Sequence, residues 1–257
     1  EPLPIAITNF FHDGNEKITN TDLPSKIRGV IQNDLESTGL FNSIDEKAFI
    51  QENKSLHLKP RFADWRLINS QGLVTGDLKI EDDRLKVEFR LWDTLAEKEI
   101  EGLVLITTPD NWRRISHMIA DKIYERLTGE EGYFDTRIVY VAEEGPKNNR
   151  VKKLAIMDQD GANHKFLTSG KELVLTPRFN PVRQEITYLS YFKNLPRVYL
   201  LNIQTGIQEV VGDFPGMTFA PRFSPDGNKI IMSLAREGNS DIYVCLLYTS
   251  PSPRDNR

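Results

Sequence analysis

Hydrophobic and polar positions change period along this chain, and each change predicts an element. Leu85, Val87, Phe89 and Leu91 alternate with Lys86, Glu88 and Arg90, the pattern of a strand with one wet face. Asp82-Asp83 supplies a hairpin turn from a preceding strand at Leu73 to Ile80, and a further strand is expected from about Glu99 to Thr107. Ile5 to Phe10 is a short apolar run predicting a buried strand, ended by Asp13-Gly14-Asn15. Between Pro24 and Gly39 the spacing lengthens: Ile27, Val30, Ile31 and Leu35 fall on one helical face, with Asp22 as cap and Gly39 as stop. A second stripe, Trp112, Ile115, Ile119, Ile123 and Leu127, predicts another amphipathic helix, capped by Asp110 and ended at Gly129.

Beyond Asp135 the helical period disappears and a repeat takes its place. Thr176-Pro177-Arg178-Phe179-Asn180-Pro181 returns 44 residues later as Ala220-Pro221-Arg222-Phe223-Ser224-Pro225. At the same offset Ile186 falls on Ile230, Val198 on Ile242 and Tyr199 on Tyr243. A blade-length period in an all-β segment predicts a β-propeller. Within each copy a first strand around Phe179 or Phe223 is followed by a second, Ile186 to Tyr191 or Ile230 to Leu234. Third strands follow at Val198 to Ile203 and Ile242 to Val244, and Thr205-Gly206 turns into a fourth at Ile207 to Val211. Ser224-Pro225-Asp226-Gly227 forces a tight turn because Pro presets φ and Gly accepts a positive one. An earlier copy, Arg137 to Val141, Leu154 to Asp158 and Lys165 to Leu167, lacks a first strand of its own. The recurring aromatics Phe179, Tyr188, Tyr199, Phe223 and Tyr243 are expected in the core.

From Cys245 the repeat breaks off, and Cys245 to Asp255 matches the one-frame translation of a transposase adapter used in sequencing libraries. Residues 245–257 are therefore expected to be a sequencing-adapter artefact foreign to the fold. The expected organisation is an α+β amino-terminal domain at 1–134 and an incomplete all-β propeller at 135–244, holding about three blades of six. Open blade edges would expose Ile230, Ile231 and Val244 and favour aggregation.

Composition removes several function classes. The single cysteine, Cys245, lies in the tail, so disulfide frameworks, thiolate zinc sites and cysteine nucleophiles are not expected. A formal net charge of −4 gives no reason to expect a nucleic-acid partner. No apolar run is long enough to span a bilayer. The chain opens at Glu1 without Met or a charged-then-apolar leader, consistent with a removed export signal or missing upstream sequence. His12, His57, His117 and His164 show no zinc spacing and are expected at the surface or as caps. Asp158-Gln159-Asp160-Gly161 resembles the start of a calcium loop but lacks the third oxygen ligand and distal Glu, so a strand-connecting turn is expected. No nucleophile elbow, phosphate-binding glycine loop or carboxylate pair nominates a catalytic site, and no cofactor is expected.

Two features together carry a family resemblance. They are the junction Leu127-Thr128-Gly129-Glu130-Glu131-Gly132-Tyr133-Phe134-Asp135-Thr136-Arg137-Ile138-Val139-Tyr140-Val141 and the repeat Pro221-Arg222-Phe223-Ser224-Pro225-Asp226-Gly227. With this order of elements, the chain from about Ile5 to Val244 resembles the TolB family of the Tol–Pal envelope system. The resemblance implies a periplasmic, non-enzymatic binding protein with a six-bladed propeller. Its propeller face would bind the peptidoglycan-associated lipoprotein Pal, supporting outer-membrane integrity and cell division. An extended amino-terminal segment would engage TolA. Only Glu1 to Pro4 precede the first strand, so that segment is expected to be absent or clipped here. Partner contacts carried over from the family are Leu175 and Thr176 in one repeat, and Met217, Thr218, Phe219 and Ala220 in the next. Phe219 and Ala220 equally suit packing against neighbouring blades. The Ser-Pro-Asp-Gly turn also occurs in prolyl-oligopeptidase-like enzymes, so the alternative is the gating propeller of a serine peptidase. An adhesive or polysaccharide-binding propeller has no support beyond the fold.

Overall fold

A computed structural model of the chain describes residues 1–12, 22–51, 59–191, 195–212, 214 and 216–247. Two compact units divide between Thr136 and Arg137. The expected turn at Asp13-Gly14-Asn15 and His57 lie outside the described residues.

The first unit runs β1 (Leu3–Ile7), α1 (Leu23–Ser37), β2 (Phe41–Ser43), α2 (Phe62–Leu67), β3 (Gly72–Glu81), β4 (Arg84–Asp93), β5 (Lys98–Thr107) and α3 (Trp112–Thr128). Its five-stranded sheet has the order β2-β1-β3-β4-β5. The β1 strand is parallel to both neighbours, whereas β3, β4 and β5 form an antiparallel meander. Asp82 and Asp83 make the β3–β4 turn with φ of 49° and 58°, the doubly left-handed geometry that matches strand twist in a two-residue hairpin.

Both predicted helices form, with one change at a cap. The α1 helix starts after Asp22, whose carboxylate accepts the Ser25 hydroxyl at 2.6 Å; this bond is the main cause holding it below the usual carboxylate range. Asp110 is not the cap of α3. Pro109–Asn111 forms a 3-10 turn, and Asn111 takes the capping position. The Asn111 N–H donates to the Thr108 carbonyl, so the turn displaces the expected start. Gly129, at φ 81°, ends α3 by donating to the Glu125 carbonyl, where a Cβ would be strained.

Helices α1 and α3 cover one face of the sheet, their apolar stripes burying Ile27, Ile31, Leu35, Ile115, Ile119 and Ile123 against Val87, Phe89 and Leu91. Within this layer Asp34 on α1 meets His117 on α3, Oδ2 to Nδ1 at 2.6 Å, with side chains 1% and 3% exposed. His117 is therefore a core residue and corrects the expectation of surface or capping histidines. Its position is set by the helical period, since it lies between buried Ile115 and Ile119 on one turn of α3.

The opposite face carries a second layer that hydrophobic periodicity did not reveal. Phe62 and Trp65 of the short α2 pack on Ala6, Leu73 and Trp92, with Phe49 edge-on to Trp65 at 5.0 Å. Phe10 is buried beside β3, where the next residue, Phe11, exchanges backbone bonds with Gly76 and Leu78. A Cβ at Gly76 would lie 2.3 Å from the Phe10 ring and 2.7 Å from the Glu88 carbonyl. Gly76→Ala is therefore expected to destabilise this unit by roughly 1–3 kcal/mol through overpacking. Urea unfolding followed by tryptophan emission checks this, and an unchanged midpoint would refute it.

The junction residues that carried the family resemblance have structural causes. The Asp121 carboxylate accepts the N–H groups of Phe134 at 2.6 Å and Asp135 at 3.0 Å, while burial, its largest perturbation, pushes its pKa up. Gly132 leaves no room for a Cβ, which would meet the Asp121 Cα at 2.5 Å. Phe134 is fully buried beside Tyr124, and Arg114 grips the Asp135 carboxylate at 3.1 and 3.2 Å.

Among the described residues the second unit contains three antiparallel sheets in chain order. The first contains β6 (Arg137–Glu144), β7 (Val151–Asp158) and β8 (Lys165–Phe166). The second contains β9 (Val174–Phe179), β10 (Glu185–Ser190), β11 (Arg197–Asn202) and β12 (Gln208–Val210). The third contains β13 (Met217–Phe223), β14 (Lys229–Arg236) and β15 (Asn239–Leu246). This is the expected partial propeller, with no closed ring among the described residues. Asp158 to Gly161 is a strand-connecting turn in which Gly161, at φ 86°, donates to the Asp158 carbonyl.

In the third sheet the last strand runs longer than expected, and one expectation of exposure is changed. Strand β15 passes Val244 and pairs Cys245 with Ile230 and Leu246 with Lys229; Cys245 and Leu247 continue the inward alternation against the core. Ile230 is fully buried, because it packs with Val198 and Leu200 of the second sheet, whereas Ile231 and Val244 on the other face are 42% and 62% exposed.

Candidate partner-binding face

Every sequence-derived contact residue lies on the two first strands, β9 and β13. Leu175 is half-buried; Thr176 and Ala220 are exposed; Met217 is 45% exposed; Phe219 is half-buried. Thr218 differs from these because it is fully buried at the seam between sheets. Its hydroxyl oxygen accepts the Val198 N–H at 2.9 Å, and its own N–H donates to the Pro196 carbonyl.

The residues before the two prolines share an unusual backbone. Thr176 has φ 48° and Ala220 has φ 54°, and the register against β10 and β14 slips at the same places. These are β-bulges occupied by non-glycine residues in the left-handed region, which costs about 1–2 kcal/mol per residue. Replacing either with Gly removes the Cβ penalty but adds unfolded-state freedom, so Thr176→Gly should gain about 0.5–1 kcal/mol and Ala220→Val should lose about 1 kcal/mol. Native-state hydrogen exchange of the β10 and β14 amides would check this; slower exchange in Ala220→Val would refute it.

Around the bulges, side chains fix the loops. Arg197 donates to the carbonyls of Phe214 and Gly216, each at 2.5 Å, clamping the segment that enters β13. Asn180, buried at the end of β9, accepts the N–H groups of Val182 and Arg183 and donates to the Gly227 carbonyl at 3.0 Å in the next repeat. Gly227, at φ 67°, has no space for a Cβ against Asn180. In that turn Ser224 donates to Asp226, and Asn228 adds its backbone N–H at 3.1 Å and its amide at 3.2 Å. These bonds, Ser224's first, hold the Asp226 carboxyl at about 2. Because its folded pKa is depressed, the stabilisation from Asp226 is present above its ordinary 3.8 and fades as pH falls toward about 2. A carbon-detected titration should place its midpoint near 2; a midpoint at the ordinary value would contradict the turn geometry.

The recurring aromatics divide between core and surface. Tyr188 and Tyr199 stack at 5.8 Å between buried neighbours, and burial raises the Tyr188 hydroxyl far above its ordinary value. Phe179 packs into the same core and Phe223 into the next one, around Val198 and Ile230, while Tyr243 remains 38% exposed. Three residues went unnoticed in the sequence, Arg178, Arg197 and Arg222. For Arg178 and Arg222 the signal was present, since both repeat copies read Pro-Arg-Phe.

Comparison with known proteins places this architecture. Residues 1–100 match the TolB amino-terminal domain and residues 124–254 match the TolB beta propeller domain. The chain is 63% identical over 225 residues to the Tol-Pal system protein TolB of Pelagibacter ubique (strain HTCC1062), covering 85% of this chain and 50% of that protein. The crystal structure of TolB from Acinetobacter baumannii superposes with a TM-score of 0.79 at 28% identity, covering 96% of this chain and 58% of that one. The chain thus spans about half the length of the curated relative it matches. With both domains matched in the same order, and with the junction, bulged inner strands and blade turns in place, the chain belongs to the TolB family.

Proposed function

We propose that the protein is a periplasmic, non-enzymatic scaffold of the Tol–Pal envelope system that docks the lipoprotein Pal on its propeller face. The observation that carries this reading is the 63% identity to a Tol-Pal system protein TolB. Leu175, Thr176, Met217, Phe219 and Ala220 supply the contacts, and Thr218 holds the strand that presents them. Exposed Met217 and the left-handed backbone at Thr176 and Ala220 suit a surface held ready for a globular partner. Through Pal, the protein supports outer-membrane integrity and division. Among the described residues no helix is long and apolar enough to cross a membrane. The peptidase alternative rested on the Ser224-Pro225-Asp226-Gly227 turn, and the amino-terminal domain match favours the TolB reading of it.

Calorimetric titration of the full chain with Pal lacking its acyl chains, without nucleotide or metal, tests the proposal. Saturable one-to-one binding is expected. Absence of binding by a chain with native circular dichroism would remove it.

A further inference from the structure

Arg178 and Arg222 occupy the same register position on β9 and β13, two residues after the left-handed Thr176 and Ala220. Both are exposed. Each guanidinium donates from Nη1 to the carbonyl of its own preceding proline, Arg178 to Pro177 at 3.2 Å and Arg222 to Pro221 at 2.8 Å. That single backbone bond fixes the group while leaving the rest of its donor fork open. Among the described residues neither arginine forms an ion pair. Exposed Arg114 and Arg150 do, with Asp135 at 3.1 Å and Glu143 at 3.1 Å, whereas exposed Arg84, Arg126 and Arg137 form none among the described residues, so it is the repeated position of Arg178 and Arg222 that sets them apart.

The two repeat copies give a second, independent argument. Thr176 has become Ala220 and Asn180 has become Ser224, yet Pro-Arg-Phe is unchanged. Packing accounts for the phenylalanines, which belong to the cores, and for Pro221, which is buried. Among the described residues each arginine head group makes only its bond to the preceding proline carbonyl. Bulges turn the strand and re-aim the side chains that follow, and here the same bulge precedes both arginines.

We infer that Arg178 and Arg222 form a carboxylate-binding pair on the inner strands, receiving acidic side chains of the protein docked there. The inference rests on the docking reading above and names the chemistry of its partner. A planar guanidinium with free parallel N–H groups matches a carboxylate in a bidentate geometry that a lysine ammonium cannot reproduce. The bond to the proline carbonyl orders each arginine before binding, which reduces the entropy lost on contact. In a chain of net charge −4, two cations at repeated positions, without an ion pair among the described residues, also steer an acidic partner toward this face.

The test uses the full chain and three proteins: wild type, Arg178→Gln with Arg222→Gln, and Arg178→Lys with Arg222→Lys. Both sites are exposed, and an unchanged urea midpoint in each variant establishes that folding is intact. Affinity for acyl-free Pal is measured at low and high salt, and hexaglutamate is titrated while the arginine side-chain resonances are followed. The glutamine variant should bind Pal roughly tenfold or more weakly with a flatter salt dependence, and the lysine variant should fall between it and wild type. Hexaglutamate should shift the Arg178 and Arg222 signals, and hexalysine should not. Pal binding that is equal in all three proteins overturns the pair and leaves the docking reading standing. Failure of wild type to bind Pal, with hexaglutamate still shifting both arginines, overturns the docking reading and supports the pair. Absence of the hexaglutamate shift, or tighter binding of inorganic phosphate or a single-stranded oligonucleotide, overturns the carboxylate assignment.

Discussion

Asp34→Ala is expected to cost the amino-terminal unit about 3–5 kcal/mol, because it removes a carboxylate that bonds a buried imidazole. Asp34 and His117 meet at 2.6 Å between α1 and α3, inside the largest apolar cluster of the unit. A typical domain holds only about 5–15 kcal/mol in total, so this one substitution should bring the unit close to unfolding at ambient temperature. Replacing both members, Asp34→Leu with His117→Phe, should recover much of the loss, since an apolar pair leaves no buried polar group to satisfy. The readout is selective: all three tryptophans, Trp65, Trp92 and Trp112, lie in this unit, so their emission during urea unfolding reports on it alone. A loss below about 1 kcal/mol for Asp34→Ala would mean that the pair contributes no more than an exposed one.

Trp65→Ala should have an effect of similar size for a different reason. Trp65 is 1% exposed and is the centre of the layer on the far side of the sheet, packed with Phe62, Leu73, Trp92 and Phe49. Its indole N–H donates to Gln51 Oε1 at 3.2 Å, an oxygen that also accepts the Arg61 N–H at 2.7 Å. Removing the ring leaves a cavity in a small cluster, at about 3–5 kcal/mol, and deprives Gln51 of one donor. Trp65→Phe keeps most of the volume and should cost roughly half as much. Emission from Trp92, which shares the cluster, would shift to longer wavelength on cavity formation. An unchanged midpoint and unshifted emission together would show that the layer does not depend on Trp65.

The elements legible in the sequence were those with a strong period. The alternation at Leu85 to Leu91 became β4, the stripe from Trp112 to Leu127 became α3, and the 44-residue repeat became successive sheets of the second unit. Each signal is local, because strand and helix place neighbouring side chains at fixed angles wherever they occur. The six-residue α2 was not legible: one and a half turns are too few to establish a helical period, and its Phe62 and Trp65 show a role only once the sheet lies beneath them. His117 was misread for a related reason, since a polar residue inside an apolar stripe gives no sign in sequence of a partner 83 positions away.

The candidate site divides along the same line. The repeat alone located Thr176 and Ala220 at equivalent positions and named the strands that carry them. That both adopt left-handed φ, that Thr218 faces a seam rather than solvent, and that Arg178 and Arg222 have no ion-pair partner among the described residues are consequences of register and packing between sheets. By itself the sequence determined the two-unit organisation, the blade repeat and the family, because periodicity and motif spacing are properties of order along the chain. Which residues are buried, strained or left with open hydrogen-bonding capacity was decided only by the tertiary structure, because those properties depend on neighbours brought together from distant positions.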